Sequence, residues 1–262
     1  MRLTVLGCSG SGPGPDSPAS GYLVQAGDTA VTLDLGNGTF GALQRFLDPW
    51  ALDAALLTHL HPDHCADVAA LVVWRRYHPH PPFDPAQRKL PVLAPEEAAE
   101  RLARAYAPSR AELPETDLTD GFDFRVLTDG AVTAVGEVTV RAARVDHPVE
   151  AYALRIEHEG RALVYSGDTG PSAGLVELAR GADVLLCEAT WPHVVPGRWT
   201  EPPPGVHLSG RQAGEHAAAA GVGRLLLTHV PAWYAGADLL AEATEVFDGP
   251  VEVVAPGAGY AV

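Results

Sequence analysis

A chain of 262 residues, 47% apolar and 19% charged, is long enough to bury a substantial core and has the balance of a globular protein rather than a disordered one. Its formal net charge of −15 argues against a broad phosphate-binding face for long nucleic acid, yet leaves room for a small anionic substrate beside a dication. No apolar run approaches the roughly 18 residues of a membrane span, "MRLTVLGCSG" lacks the apolar core of a signal peptide, and the scattered Cys8, Cys65 and Cys187 offer neither a disulfide framework nor a CxxC knuckle. Reduced thiols, no transmembrane segment and a cytoplasmic location are the expectations.

In chain order, "RLTVLG" (2–7), "GYLVQAG" (21–27) and "AVTLDLG" (30–36) read as strands, with the turn-former loop "CSGSGPGPDSPAS" between the first two. "GALQRFLD" suits a short helix closed by Pro49, and "LDAALLTH" another buried strand. "ADVAALVVWRRYHP" has helical spacing, and the proline-broken "HPPFDPAQRKLP" leads to a short strand and the helix "PEEAAERLARAYA". From "FDFRVL" the pattern turns to β: "EVTVRAARV", then "EAYALRIEHEGRALVYSGDT" with "EHEG" as a hairpin turn. A helix near "SAGLVELARG", the strand "ADVLLCEAT", a Pro-rich loop, the helix "SGRQAGEHAAAAG", the strand "RLLLTH" and a helix around 237–247 complete the chain. This order fits two mixed β-sheets packed face to face and flanked by helices, an αββα sandwich spanning 1–262 as one domain, better than a doubly wound parallel sheet.

The chemistry concentrates in "THLHPDHCAD" (58–67). Three imidazoles and two carboxylates at the end of a buried strand carry a considerable desolvation cost unless an ion collects them. Four donors in so tight a turn cannot easily aim at one ion, so the spacing favours two: His59 and His61 on the first, Asp63 and His64 on the second. Further donors stand at later strand ends, His147 in "VDHPVEAY", Asp168 in "YSGDTG" and His229 in "LLLTHVPAW", each before a Pro or Gly where a loop leaves a sheet. Asp168 is the natural bridge, since a carboxylate offers one oxygen to each ion. Singly, His147 and His229 read as surface or capping residues and Asp168 as a helix N-cap; with the HxHxDH block they complete a shell.

At these residues the chain resembles the metallo-β-lactamase superfamily, whose mark is HxHxDH followed by separate His, Asp and His ligands. The resemblance implies an αββα fold, with His59, His61 and His147 on one ion, Asp63, His64 and His229 on the other, and Asp168 shared. "CEAT" (187–190) followed by "HLSGRQAGEHAAAAGVGRLLLTHVPAWY" is similar to the RNase Z branch, which implies phosphodiester cleavage assisted by Glu188 and His207. That branch carries a tRNA-binding arm between its third ligand His and its bridging Asp, whereas "PVEAYALRIEHEGRALVYSG" (148–167) here is taken up by a hairpin. "VLGCSGSGPGPDSPASGYLVQ", "GALQRFLDP", "VWRRYHP", "YSGDTG", "LVELARGADVLLCEATW" and "HLSG" resemble the atypical class II cyclic nucleotide phosphodiesterases of actinobacteria, although "VVAPGAGYAV" lacks the acidic ending of their mycobacterial member.

The resemblance implies hydrolysis of a cyclic nucleotide, 3′,5′-cAMP first, by a metal-activated bridging hydroxide. Two divalent ions, Zn or else Mn given the His-rich ligation, are the expected cofactors. Asp63 is a ligand first and a proton carrier second. His207, oriented by Glu188, is the candidate to stabilise the transition state or protonate the leaving oxygen. Trp191, Trp199, Trp233 and Tyr234 lie in loops near these ligands, where one could stack on a purine, though packing is the plainer reading. The loop after Cys8 could wrap the substrate with its N–H groups. Competing readings are another hydrolase of the same fold (a short-RNA nuclease or broad phosphodiesterase, a thioesterase, a lactonase) and a non-catalytic nucleotide-binding regulator; a homodimer rests on the resemblance only.

Overall fold

The computed structural model describes residues 1–262. Its strands form two seven-stranded sheets. The first runs β14 (Gly259–Ala261), β1 (Arg2–Gly7), β2 (Gly21–Ala26), β3 (Thr29–Leu33), β4 (Ala54–Leu56), β5 (Leu90–Ala94), β6 (Phe122–Val126). The second runs β13 (Val251–Val253), β12 (Leu225–Thr228), β11 (Val184–Glu188), β10 (Arg161–Tyr165), β9 (Tyr152–His158), β8 (Val138–Arg144), β7 (Val132–Val135). Both are mixed. The meanders pair antiparallel, and β3 to β6 and β10 to β13 pair parallel.

Strand periodicity sorts the apolar residues into layers. On β1, Leu3 and Val5 point one way and Leu6 the other; on β10, Leu163 and Tyr165 oppose Val164. Leu3, Val5, Tyr22, Leu154, Leu163 and Leu226 fall in one buried cluster drawn from both sheets, which is the sandwich interior. Leu6, Leu23 and Leu57 pack outward under α1 (Thr39–Leu43), α3 (Val68–Tyr77) and α4 (Ala98–Tyr106). Val164, Leu185 and Leu227 pack under α5 (Ala173–Ala179), α6 (Gly210–Ala220) and α7 (Gly236–Thr244). The result is the expected αββα arrangement. No helix is long and apolar enough to cross a membrane.

Local signals set the helix ends. Ser209 and Gln212 close a reciprocal capping box on α6, and Gly221 ends it at φ 63°. Ser172 caps α5, which frees Asp168 from that duty. The "EHEG" turn is left-handed at both Glu159 and Gly160, as a tight hairpin requires. Three strands were not expected: β7, joined to β8 across Gly136; β13; and β14, in which the C-terminal tail pairs antiparallel with β1 and buries Tyr260 in the interior. Each is three or four residues long, too short for periodicity to announce.

Candidate metal centre

The candidate residues gather where strands stop. β4 ends at Leu56, and the chain passes through Thr58 into "HLHPDHC", where Pro62 opens the one-turn helix α2 (Pro62–Cys65). His59 and His61 precede that turn; Asp63 and His64 ride on it. His147 follows β8, Asp168 follows β10, and His229 follows β12. Because β10, β11 and β12 are parallel neighbours, Asp168, Glu188 and His229 reach the same rim. His207 arrives from the loop leading into α6. The Tyr152 N–H donates to the Thr58 carbonyl at 3.0 Å, tying the two sheets together beneath the cluster.

The close approach of loops needs room. A Cβ on Gly36 would lie 1.9 Å from the Asp63 carbonyl oxygen, and one on Gly10 would lie 2.2 Å from that of His229. Asp34 and His229 hold left-handed backbone, φ 59° and 57°, which non-glycine residues rarely adopt outside functional sites.

The ligand atoms divide into two sets. Those of His59, His61, His147 and Asp168 lie within 4.8 Å of one another, and so do those of Asp63, His64, Asp168 and His229. In the first, His61 Nδ1 is 3.0 Å from His59 Nε2 and 3.2 Å from His147 Nε2. In the second, His229 Nε2 is 3.3 Å from both His64 Nε2 and Asp63 Oδ2. Asp168 belongs to both: Oδ1 is 3.2 Å from His64 Nε2, and Oδ2 is 3.4 Å from His229 Nε2 and 3.7 Å from His59 Nε2.

An outer layer explains why these nitrogens point inward. His64 Nδ1 meets Asp34 Oδ2 at 2.7 Å, and Asp34 also accepts from the Thr58 N–H, the Thr58 hydroxyl and the Tyr165 hydroxyl. With its proton committed to Asp34, the Thr58 oxygen accepts from His59 Nδ1 at 3.1 Å. His147 Nδ1 donates to the Val206 carbonyl at 2.8 Å. His229 Nδ1 donates to the Thr190 hydroxyl at 2.8 Å, which donates in turn to Glu188 Oε2. Each of these four histidines therefore spends one nitrogen on a protein acceptor and turns the other toward the cluster, as metal-binding imidazoles do.

This donor set fits divalent ions. Burial holds His59, His61 and His147 below the ordinary imidazole pKa, so they are neutral donors, whereas Asp168 and Asp34 hold the buried His64 well above it despite its burial, so an ion binding there would displace a proton. The nearby histidines hold the Asp63 and Asp168 carboxyls low, against their burial, so both are ionised. Lone pairs about 3 Å apart repel unless a cation or proton lies between them, and buried Asp168 Oδ1 accepts no hydrogen bond. The His and Asp cluster is suited to binding metal ions.

Glu188, His207 and His229 also lie within ligand distance of one another, but Glu188 is otherwise engaged. It is buried and accepts from the Thr169 N–H, the Leu208 N–H and the Thr190 hydroxyl, leaving His207 Nδ1 3.1 Å from both its oxygens. Burial alone would lower the His207 pKa, but Glu188 and then Asp168 push it up to about 9. His207 is thus a cation at neutral pH, its Nδ1 3.7 Å from Asp168.

The structure brings all nine candidates together and adds residues that sequence reasoning missed: Asp34, Thr58 and Thr190. A lone acid inside the apolar run "VTLDLG" was the available signal for the first. Cys65 is buried behind the turn, its thiol facing the Leu60 carbonyl and ligating nothing. The loop after Cys8 brings the Ser11 N–H to 3.4 Å from His229 Nε2. Trp191 packs edge-on against His207 at 5.1 Å and beside Trp199 at 5.4 Å, while Trp233 is exposed next to Tyr234.

Four layers with two overlapping His/Asp clusters on the strand-end rim define a metal-dependent hydrolase architecture. The chain belongs to the β-lactamase superfamily: the family model described as a beta-lactamase superfamily domain matches residues 29–230. An uncharacterized protein of Mycobacterium leprae is 50% identical over 259 residues, covering 98% of this chain and 87% of the relative. A ribonuclease Z of Mycolicibacterium paratuberculosis is 34% identical over 272 residues, 97% and 95% of the two chains. Among solved structures, the metallo-beta-lactamase fold protein YhfI from Bacillus subtilis aligns with a TM-score of 0.83 at 26% identity, covering 99% of each chain.

Proposed function

We propose that the whole chain, 1–262, is a phosphodiesterase that uses two divalent metal ions, Zn or Mn, to hydrolyse a cyclic nucleotide, with 3′,5′-cAMP as the first candidate. His59, His61 and His147 would hold one ion, Asp63, His64 and His229 the other, and Asp168 both. Ions bound there would supply Lewis acidity for the phosphoryl oxygens and a water acidic enough to attack near neutral pH.

The observation that carries the reading is His207: an imidazole whose Nδ1 stands 3.1 Å from both oxygens of a saturated buried carboxylate, at the edge of the shared Asp168. Its position suits two tasks. It can donate a hydrogen bond to an oxygen whose negative charge grows as phosphorus is attacked, and it can deliver a proton to the departing ribose oxygen. Glu188 keeps the ring oriented and charged; since three other donors hold that carboxylate, it cannot swing to the ions. An acid that is cationic at neutral pH favours an anionic ester over a neutral lactam or lactone. Small substrates are favoured over long RNA by the acidic surface and by the β9–β10 hairpin, whose two-residue turn at Glu159–Gly160 leaves no chain for an arm.

The test is AMP formation from 3′,5′-cAMP by the purified, metal-loaded protein, with bis(4-nitrophenyl) phosphate as a generic diester and a thioester and a lactone as rivals. We expect AMP, lost in His207→Ala without loss of metal. Turnover of the thioester or lactone with none of cAMP would reject the reading.

A further inference from the structure

The HxHxDH turn forms one wall of a cleft of about 420 Å³, lined by Leu60, His61, Pro62, Pro95, Val149 and the side chains of Glu97, Arg101 and Glu150. The cleft includes His61, whereas the cavities along the N-terminal loop, beneath α5 and on the far face of α4 include none of the proposed ligands. Its volume lies within the range of small-molecule sites, and four of its eight lining residues are polar or charged.

Glu97 and Arg101 are the informative pair. They stand four residues apart at the start of α4, both exposed, Glu before Arg, in the order and spacing that favour an ion pair by a few tenths of a kcal/mol. One turn on, Glu100 and Arg104 form one. Glu97 and Arg101 form no ion pair, and both line the cleft. Glu150 is held in place by the Tyr152 hydroxyl and the Glu96 N–H. An unclosed donor and acceptor side by side match a heterocycle edge that carries an amino donor next to a ring-nitrogen acceptor.

We propose that this cleft takes the nucleoside of the substrate, its purine edge read by Arg101 and Glu97, while the phosphate occupies the metal cluster on the far side of His61. This rests on the reading of the site as a nucleotide phosphodiesterase, and adds to it where specificity for the base resides.

Adenosine, which has no phosphate and makes no call on the metals, is the probe. Its binding to the metal-loaded protein is measured by calorimetry for wild type, Arg101→Glu and Val149→Trp, the second filling the cleft with apolar bulk. Metal content and melting temperature are read on each sample, and steady-state constants on cAMP are measured in parallel. The expected result is adenosine binding to wild type, weakened by about tenfold or more in each variant, with KM for cAMP raised by a similar factor and kcat far less affected. Adenosine that does not bind wild type at about 10 mM, or binds the folded, metal-loaded variants as it binds wild type, overturns the proposal. If wild type yields no AMP from cAMP yet adenosine binding still falls in both variants, the assigned reaction has failed and the cleft stands. AMP formation with adenosine binding unchanged in the variants has the opposite meaning.

Discussion

The two halves of the metal centre are built differently. Around Asp63, His64 and His229 the imidazoles are fully buried, and each is backed by a carboxylate: Asp34 directly behind His64, Glu188 behind His229 through the Thr190 hydroxyl. Around His59, His61 and His147 only His59 is fully buried and reaches a carboxylate, Asp34, through the Thr58 hydroxyl; His147 is backed by a backbone carbonyl, and both it and His61 are only half-buried. A carboxylate makes the imidazole it holds more basic and fixes its ring. One half is therefore a deep anchor, and the other, His59 apart, is an adaptable rim that opens onto the cleft at His61.

The shared residue should show the largest effect: Asp168→Ala is expected to lose both ions in metal analysis, and activity by more than the about 10³-fold of a single electrostatic stabiliser. Retention of either ion would mean that the halves are independent. His207→Ala should lower kcat by about 10² to 10⁴-fold while both ions stay, and a fall in metal content would instead make His207 a ligand. Asp34→Ala should cost about 10 to 100-fold in metal affinity, measured by competition with a chelator. If the anchor is distinct from the rim, the loss falls chiefly on the ion at His64. A smaller step is Thr190→Val, which leaves the His229 N–H unpaired and removes one of the donors to Glu188 Oε2 at about 1–3 kcal/mol; a melting temperature equal to wild type would show that the relay carries nothing. Smallest for the chemistry is Tyr260→Ala, in which the tail strand loses its buried ring. It should lower the melting temperature at a cost of about 3 kcal/mol and leave metal content unaltered.

What could be read along the chain was whatever a short window contains. The HxHxDH block announces itself because its donors are neighbours in sequence, and the long amphipathic helices and the β9–β10 hairpin carry their own period and turn residues. Asp34 was passed over, since one acid at the end of an apolar strand is also how strands ordinarily finish. Its role appears only when β4 brings Thr58 and α2 brings His64 against it. Thr190 was in view within "CEAT", but its hydroxyl matters because β12 ends beside β11 and sets His229 against it. The short strands β7, β13 and β14 have too few residues for any alternation and exist because longer neighbours offer them unpaired edges.

By itself, then, the sequence determined the layered architecture, since alternating apolar residues can be buried only between a partner sheet and covering helices, and it determined which side chains could bind metal, because those are chemical identities. The tertiary structure decided which donors converge within ligand distance, which nitrogen each imidazole turns inward, and which acceptor stands behind it. These depend on distances of about 3 Å between residues up to 166 positions apart, and only the packing of two sheets brings such residues together.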